Sequence, residues 1–166
     1  MRFLVGALLA ASLLFAQAPA PRKAPTFTLP DHTGGFQDLT DYRGKVVLLD
    51  IMLTTCPHCK DFSKVLEQVK AKYGDQIRVF SLVNPPDTMD SVKAYVRDNK
   101  ITSPILFDCG QAAYSYVRSG QIQLPRLFVI DQQGMIRGDV SYSEATKANF
   151  QAAAVSAQID KLLQKK

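Results

Sequence analysis

The most constraining stretch of the chain is an apolar run that turns into a helical pattern through two cysteines. In KVVLLDIML, residues 45–53, apolar side chains fall on both faces of an extended chain, and Asp50 is the one charge inside the run. Such a strand is a central one covered by helices on two sides, because each face needs its own apolar partner. From Cys56 the period becomes helical: Phe62, Val65, Leu66, Val69 and Tyr73 share one face, and Gly74 ends it. Cys56-Pro57-His58-Cys59 sits on the joint between the two patterns.

The rest of the chain repeats this alternation. TFTLPDHTGGFQDL (26–39) alternates apolar and polar residues around Gly34 and Gly35, as a hairpin does. Strands are expected at 76–83, 103–108 and, joined by a turn at Gly134, across 126–140. Helices are expected at 88–100, at 111–120 and from about Ser143, the last with Phe150, Val155, Ile159 and Leu162 on its apolar face. With 166 residues and 46% hydrophobic content there is material for one core, so one α/β domain with a mixed sheet is expected.

The N-terminus points to export. Arg2 precedes an apolar run from Phe3 to Phe15 and small residues in an A-x-A pattern at Ala16, Gln17 and Ala18, which together read as a signal peptide over 1–18. The run falls short of the roughly 20 residues of a membrane-spanning helix, so membrane contact is expected only if the segment stays uncleaved. Residues 19–25 read as a Pro-rich linker and 26–166 as the domain. The net charge of +5 is spread along the chain, which fits a solvated surface and not nucleic acid. The mature chain is expected in an oxidising compartment, the periplasm in a bacterium, where cysteine pairs can be disulfides.

A thiol is a nucleophile only as thiolate, and a helix N-terminus favours that anion through its unpaired N–H groups. Cys56 stands where such a terminus should be. Cys59 lies one turn on along the same face, close enough to form a disulfide with Cys56 or to resolve a mixed disulfide held by it. Pro57 suits the first helical turn, and His58 adds a polarisable, partly cationic group beside the sulfur. Zinc needs about four ligands, and Cys109, His32 and His58 stand at no metal spacing. A structural disulfide closing two residues would contribute little stability.

GKVVLLDIMLTTCPHCK resembles the active-site segment of thioredoxin-fold proteins. The wider frame, FTLPDHTGG, DYRGK and LPRLFVIDQQGMI, is similar to the secreted TlpA/ResA-like branch over residues 25–163. The resemblance implies a thioredoxin-like fold and a thiol-disulfide oxidoreductase in which Cys56 attacks and Cys59 resolves. It implies no cofactor beyond that redox-active pair, with protein thiols or disulfides and a redox protein as partners, and a monomer is expected. Pro125 matches the family's cis-proline, so Leu124 and Pro125 are expected to form a substrate-docking edge together with Pro57. Asp50 matches the buried aspartate behind the disulfide and suits a proton shuttle to Cys59.

The departures bear on direction. Phe62 replaces the glutamate common three residues past the second cysteine, which shifts the proton role to Asp50. Thr55 replaces a tryptophan, and Pro57-His58 resembles the strongly oxidising DsbA group, whereas the TlpA/ResA-like frame implies a reductant. Arg126 replaces the small threonine after the proline; it is expected either to turn toward the cysteines and bind an acidic partner or to be an exposed strand-start residue. Cys109 is expected to be a small buried residue at a helix start and His32 an exposed hairpin residue. A thiol peroxidase would want threonine where Leu53 stands, and a thioredoxin-fold copper-binding protein without turnover is the non-enzymatic alternative.

Overall fold

A computed structural model describes residues 21–118 and 121–164. The predicted signal segment falls outside them. Strand β4, Val46–Ile51, has all six residues buried, because it has neighbours on both edges and layers on both faces. It runs parallel to β5 (Ile77–Val83) on one side and antiparallel to β7 (Arg126–Ile130) on the other. The sheet continues through β6 (Ile105–Phe107) beyond β5 and through β8 (Met135–Ser141) beyond β7. Gly134, at φ +76, makes the β7–β8 turn, and the Arg43 guanidinium packs where a Cβ would stand.

The edge beyond β8 is closed by β1, Arg22–Lys23, which pairs with Ile136 and Met135. Ala24 beside it is buried, so the end of the segment read as a linker belongs to the sheet. The expected hairpin is present as β2 (Thr28–Pro30) and β3 (Phe36–Asp38), a two-stranded sheet of its own. Its turn is organised by Asp31, which is 3% exposed and accepts hydrogen bonds from Thr33, Gly35 and Gln37.

Side-chain alternation assigns the two faces. Leu48, Leu127 and Val129 pack against α1 (Pro57–Tyr73) and α4 (Ala152–Leu163) through Phe62, Leu66, Val69, Val155 and Ile159. Leu49, Phe80 and Phe128 pack on the other face under α3 (Gln111–Val117) and the N-terminal segment, through Ala113, Tyr116, Phe27 and Leu39. At the C-terminal end of β4, a third cluster joins Met52, Cys59 and Val83 to Val92 and Tyr95 of α2, Met89–Asn99. Gly74 ends α1 at φ +54, a conformation open to glycine.

The last helix departs from its expected start. Residues 143–151 are not α-helical; Thr146 Oγ1 accepts from the Ser143 N–H and donates to the Ser141 carbonyl, and a short 3-10 turn, Lys147–Phe150, precedes α4. Hydroxyls that bond nearby backbone in this way compete with helix formation.

Candidate active site

Cys56 is the N-cap of α1, with Pro57 in the first turn. Its sulfur accepts the Cys59 backbone N–H at 3.3 Å, one of the donors a helix start leaves unpaired. Both cysteines are free thiols, Cys56 half-buried and Cys59 fully buried, so the pair presents one sulfur outward and one inward. Burial pushes the Cys59 thiol strongly up, and the hydrogen bond to Cys56 and the charge of Asp50 push it further. The inner sulfur is therefore a thiol at rest and needs a base to act.

Asp50 supplies one. It shares its face of β4 with Leu48, the face covered by α1, and it is fully buried. Among the described residues neither carboxyl oxygen has a hydrogen-bond partner, and burial raises Asp50 well above the usual carboxylate range. A carboxyl that holds its proton unusually tightly, within electrostatic reach of Cys59, can exchange that proton with the thiol.

The loop into α1 is held from outside. The Thr54 N–H donates to Asp87 at 3.0 Å and the Thr54 hydroxyl to the other oxygen of that carboxylate. Asp87 also accepts from Ser91 in the first turn of α2, where Thr88 and Ser91 form a reciprocal capping box. One carboxylate thus ties the cysteine loop to the start of a neighbouring helix, a contact with no linear signature in the sequence. His58 is exposed and stacks on Tyr142 with ring centroids 4.3 Å apart; the Tyr142 N–H in turn donates to the Pro125 carbonyl. The aromatic contact joins the motif to the Pro125 segment, and the single Tyr142 gave no hint of it.

The Leu124–Pro125 peptide is cis, as the resemblance implies, and Pro85–Pro86 is cis as well. Pro125 is buried, while Leu124 is half-buried and lines a cavity of about 380 Å³ with Met52, Leu53, Pro85, Cys109 and Ile122. Arg126 corrects both of its expectations. It shares the face of Phe128, opposite α1, lies over that ring, and its guanidinium makes a two-pronged ion pair with Asp139 at 2.8 and 3.0 Å. It neither turns to the cysteines nor stands free at the surface.

Cys109 is exposed, not buried, because Asp108 is the residue that turns inward, accepting the N–H groups of Ala112 and Ala113 at the start of α3. His32 is half-buried and works as a clasp: its backbone N–H donates to the Ile105 carbonyl and its Nδ1 accepts the Ile105 N–H, pinning the hairpin to β6. Among the described residues no three His, Cys, Asp or Glu side chains gather in a way that could hold a metal.

A model of the AhpC/TSA family matches residues 21–138. The chain is 26% identical over 132 residues to the thioredoxin-like protein YneN of Bacillus subtilis, covering 78% of this chain and 75% of that one. It is 27% identical over 131 residues to the thiol-disulfide oxidoreductase ResA of Bacillus thuringiensis subsp. konkukian, covering 78% and 73%. The crystal structure of a thioredoxin-family thiol:disulfide interchange protein from Chlorobium tepidum superposes with a TM-score of 0.75 at 19% identity, covering 89% and 99%, which shows the shared fold.

Proposed function

Because the chain belongs to the AhpC/TSA family, with a thioredoxin-like fold, we propose that it is an exported thiol-disulfide oxidoreductase that exchanges disulfides with protein thiols through Cys56 and Cys59. The arrangement of the pair carries the reading. A half-buried sulfur accepts the Cys59 N–H in the first turn of α1, and a buried one lies within electrostatic reach of a buried carboxyl that has no hydrogen-bond partner among the described residues.

In this scheme the Cys56 thiolate attacks a partner disulfide and forms a mixed disulfide, while the partner's other sulfur leaves as thiolate. Asp50, in its carboxylate form, takes the proton of Cys59, whose sulfur attacks Cys56 Sγ and closes the Cys56–Cys59 disulfide, and the partner's second sulfur leaves with the electron pair. Two electrons pass from the pair to the partner; the reverse sequence oxidises a partner dithiol. Pro57, His58, Leu124 and Pro125 frame the sulfur and give a partner segment its surface. Leu53, three residues before Cys56, has no hydroxyl to hold a peroxide, which favours exchange between sulfurs over peroxide reduction.

Export is supported by the leader-like residues 1–18, and no helix among the described residues is long and apolar enough to cross a membrane. The direct test is Cys56→Ser: exchange with a protein disulfide is expected to vanish, and retained turnover would refute the scheme. A reduction potential near about −120 mV identifies an oxidant and one near about −270 mV a reductant. Stoichiometric Cu(I) uptake that needs both cysteines, without thiol exchange, would instead establish the copper-binding alternative.

A further inference from the structure

Behind the cysteine pair lies a buried polar contact that the scheme above leaves unused. Ser63 stands one turn past Cys59 on the same face of α1 and is 4% exposed. Its Oγ lies 2.8 Å from the Tyr95 hydroxyl, with either atom able to donate, and 3.9 Å from Met52 Sδ. Tyr95 reaches in from α2 and packs in the same cluster as Cys59, Met52, Val83 and Val92. These walls are apolar, and two hydroxyls placed among them are costly unless they serve one another.

We infer that Ser63 and Tyr95 are positioning residues for the resolving step, a hydroxyl pair that turns a proton toward the negative charge arising when Cys59 ionises beside Asp50. The inference rests on the reading of Cys59 as resolver. Two hydroxyls carry two protons; their mutual hydrogen bond uses one, and the other is held by nothing stronger than the long Ser63 donation to the Met52 thioether, so it can follow a change in charge. The groups that act on the pair come from each element around it: Asp50 on β4, Cys56 and Cys59 at the head of α1, and Tyr95 itself on α2. Burial above all pushes the Tyr95 hydroxyl up to about 12, against the Ser63 hydrogen bond, and the charges of Asp50, Cys59 and Cys56 push the same way. The geometry agrees: Tyr95 and Cys59 belong to one buried cluster, and Cys56 packs against it.

The chemistry of the step is unchanged. The Cys59 proton passes to the carboxylate form of Asp50, the Cys56–Cys59 bond forms, the bond from Cys56 to the partner breaks, and the partner sulfur leaves with the electron pair. The hydroxyl pair forms no bond to sulfur. It adds to the Leu53 backbone group, which already eases ionisation of Cys59, in a chamber walled mostly by hydrocarbon and thioether, which is where a fixed or turning dipole acts most strongly.

The test uses reduced protein carrying Cys109→Ser, so that only the pair reports, mixed with 5,5′-dithiobis(2-nitrobenzoate) in a stopped-flow instrument. Attack by Cys56 releases the first thionitrobenzoate and attack by Cys59 the second. Tyr95→Phe is expected to leave the first phase within about twofold and to slow the second about tenfold at neutral pH, moving its pH midpoint upward. Ser63→Ala is expected to act in the same direction. A second phase with unchanged rate and midpoint in both variants, even with a lowered melting temperature, would reduce the pair to packing and overturn the inference. Equal slowing of both phases would overturn it too. An unsubstituted Ser63–Tyr95 protein that releases no second equivalent would instead bring down the reading of Cys59 as resolver, a separate and recognisable failure.

Discussion

Asp50 is the residue on which local physics and chemistry conflict most. A carboxyl with no hydrogen-bond partner among the described residues, in a fully buried strand, is destabilising, and its retention there is intelligible if its proton is used. Its titration fixes a sign for stability. The unfolded chain releases this proton near pH ~3.9, whereas the folded chain keeps it to much higher pH, so stability falls as pH rises from about 4 toward the folded value. Asp50→Asn has no such proton, and is therefore expected to melt higher than the parent at pH 8 while the two melt nearly together at pH 4. An equal difference at both pH values would mean that Asp50 ionises normally. The conflict was legible in the sequence, since a lone Asp in KVVLLDIML has no neighbour along the strand to pair with. The arginine after Pro125 was not legible in the same way: its partner Asp139 is thirteen residues away across a sheet register, and only the register reveals the pairing.

At the scale of elements, the sequence placed the β4–α1 joint well because two different periods meet there and Gly74 marks the end. It misjudged the approach to α4, where Ser143 and Thr146 divert the backbone, and it overlooked β1, since two residues carry no periodicity. What it could not supply was the clamp from α2. Thr88 caps that helix reciprocally with Ser91, and replacing a reciprocal cap by alanine costs about 1 kcal/mol. Thr88→Ala is accordingly expected to lower the unfolding free energy by that order in urea titration, with the first-phase reactivity of Cys56 unchanged. Asp87, one residue earlier, holds both the helix and the Thr54 loop, so a loss of Cys56 reactivity in Thr88→Ala would show that the two contacts act as one unit.

For the whole molecule, acid is expected to loosen the hairpin before the sheet. Against the burial that would raise it, hydrogen bonds from the Thr33 hydroxyl, the Gln37 amide and the Thr33 and Gly35 backbone hold Asp31 down to about 2. A carboxylate whose folded value is depressed contributes stability above its unfolded value, and that contribution fades as pH falls from about 4 to about 2. Hydrogen exchange followed across that window is expected to show the β2–β3 amides losing protection first, with Asp31→Asn flattening the dependence; simultaneous loss across β4 and β5 would contradict it. A different liability lies at the opposite side of the fold. With Arg22 and Lys23 laid along Ile136 and Met135, the rim of the large sheet is covered by the first residues of the described chain. A product trimmed past Lys23 would leave that rim's amides and carbonyls unpaired and prone to stack on the rim of another molecule, so preparations clipped there should clump on storage while intact ones stay clear.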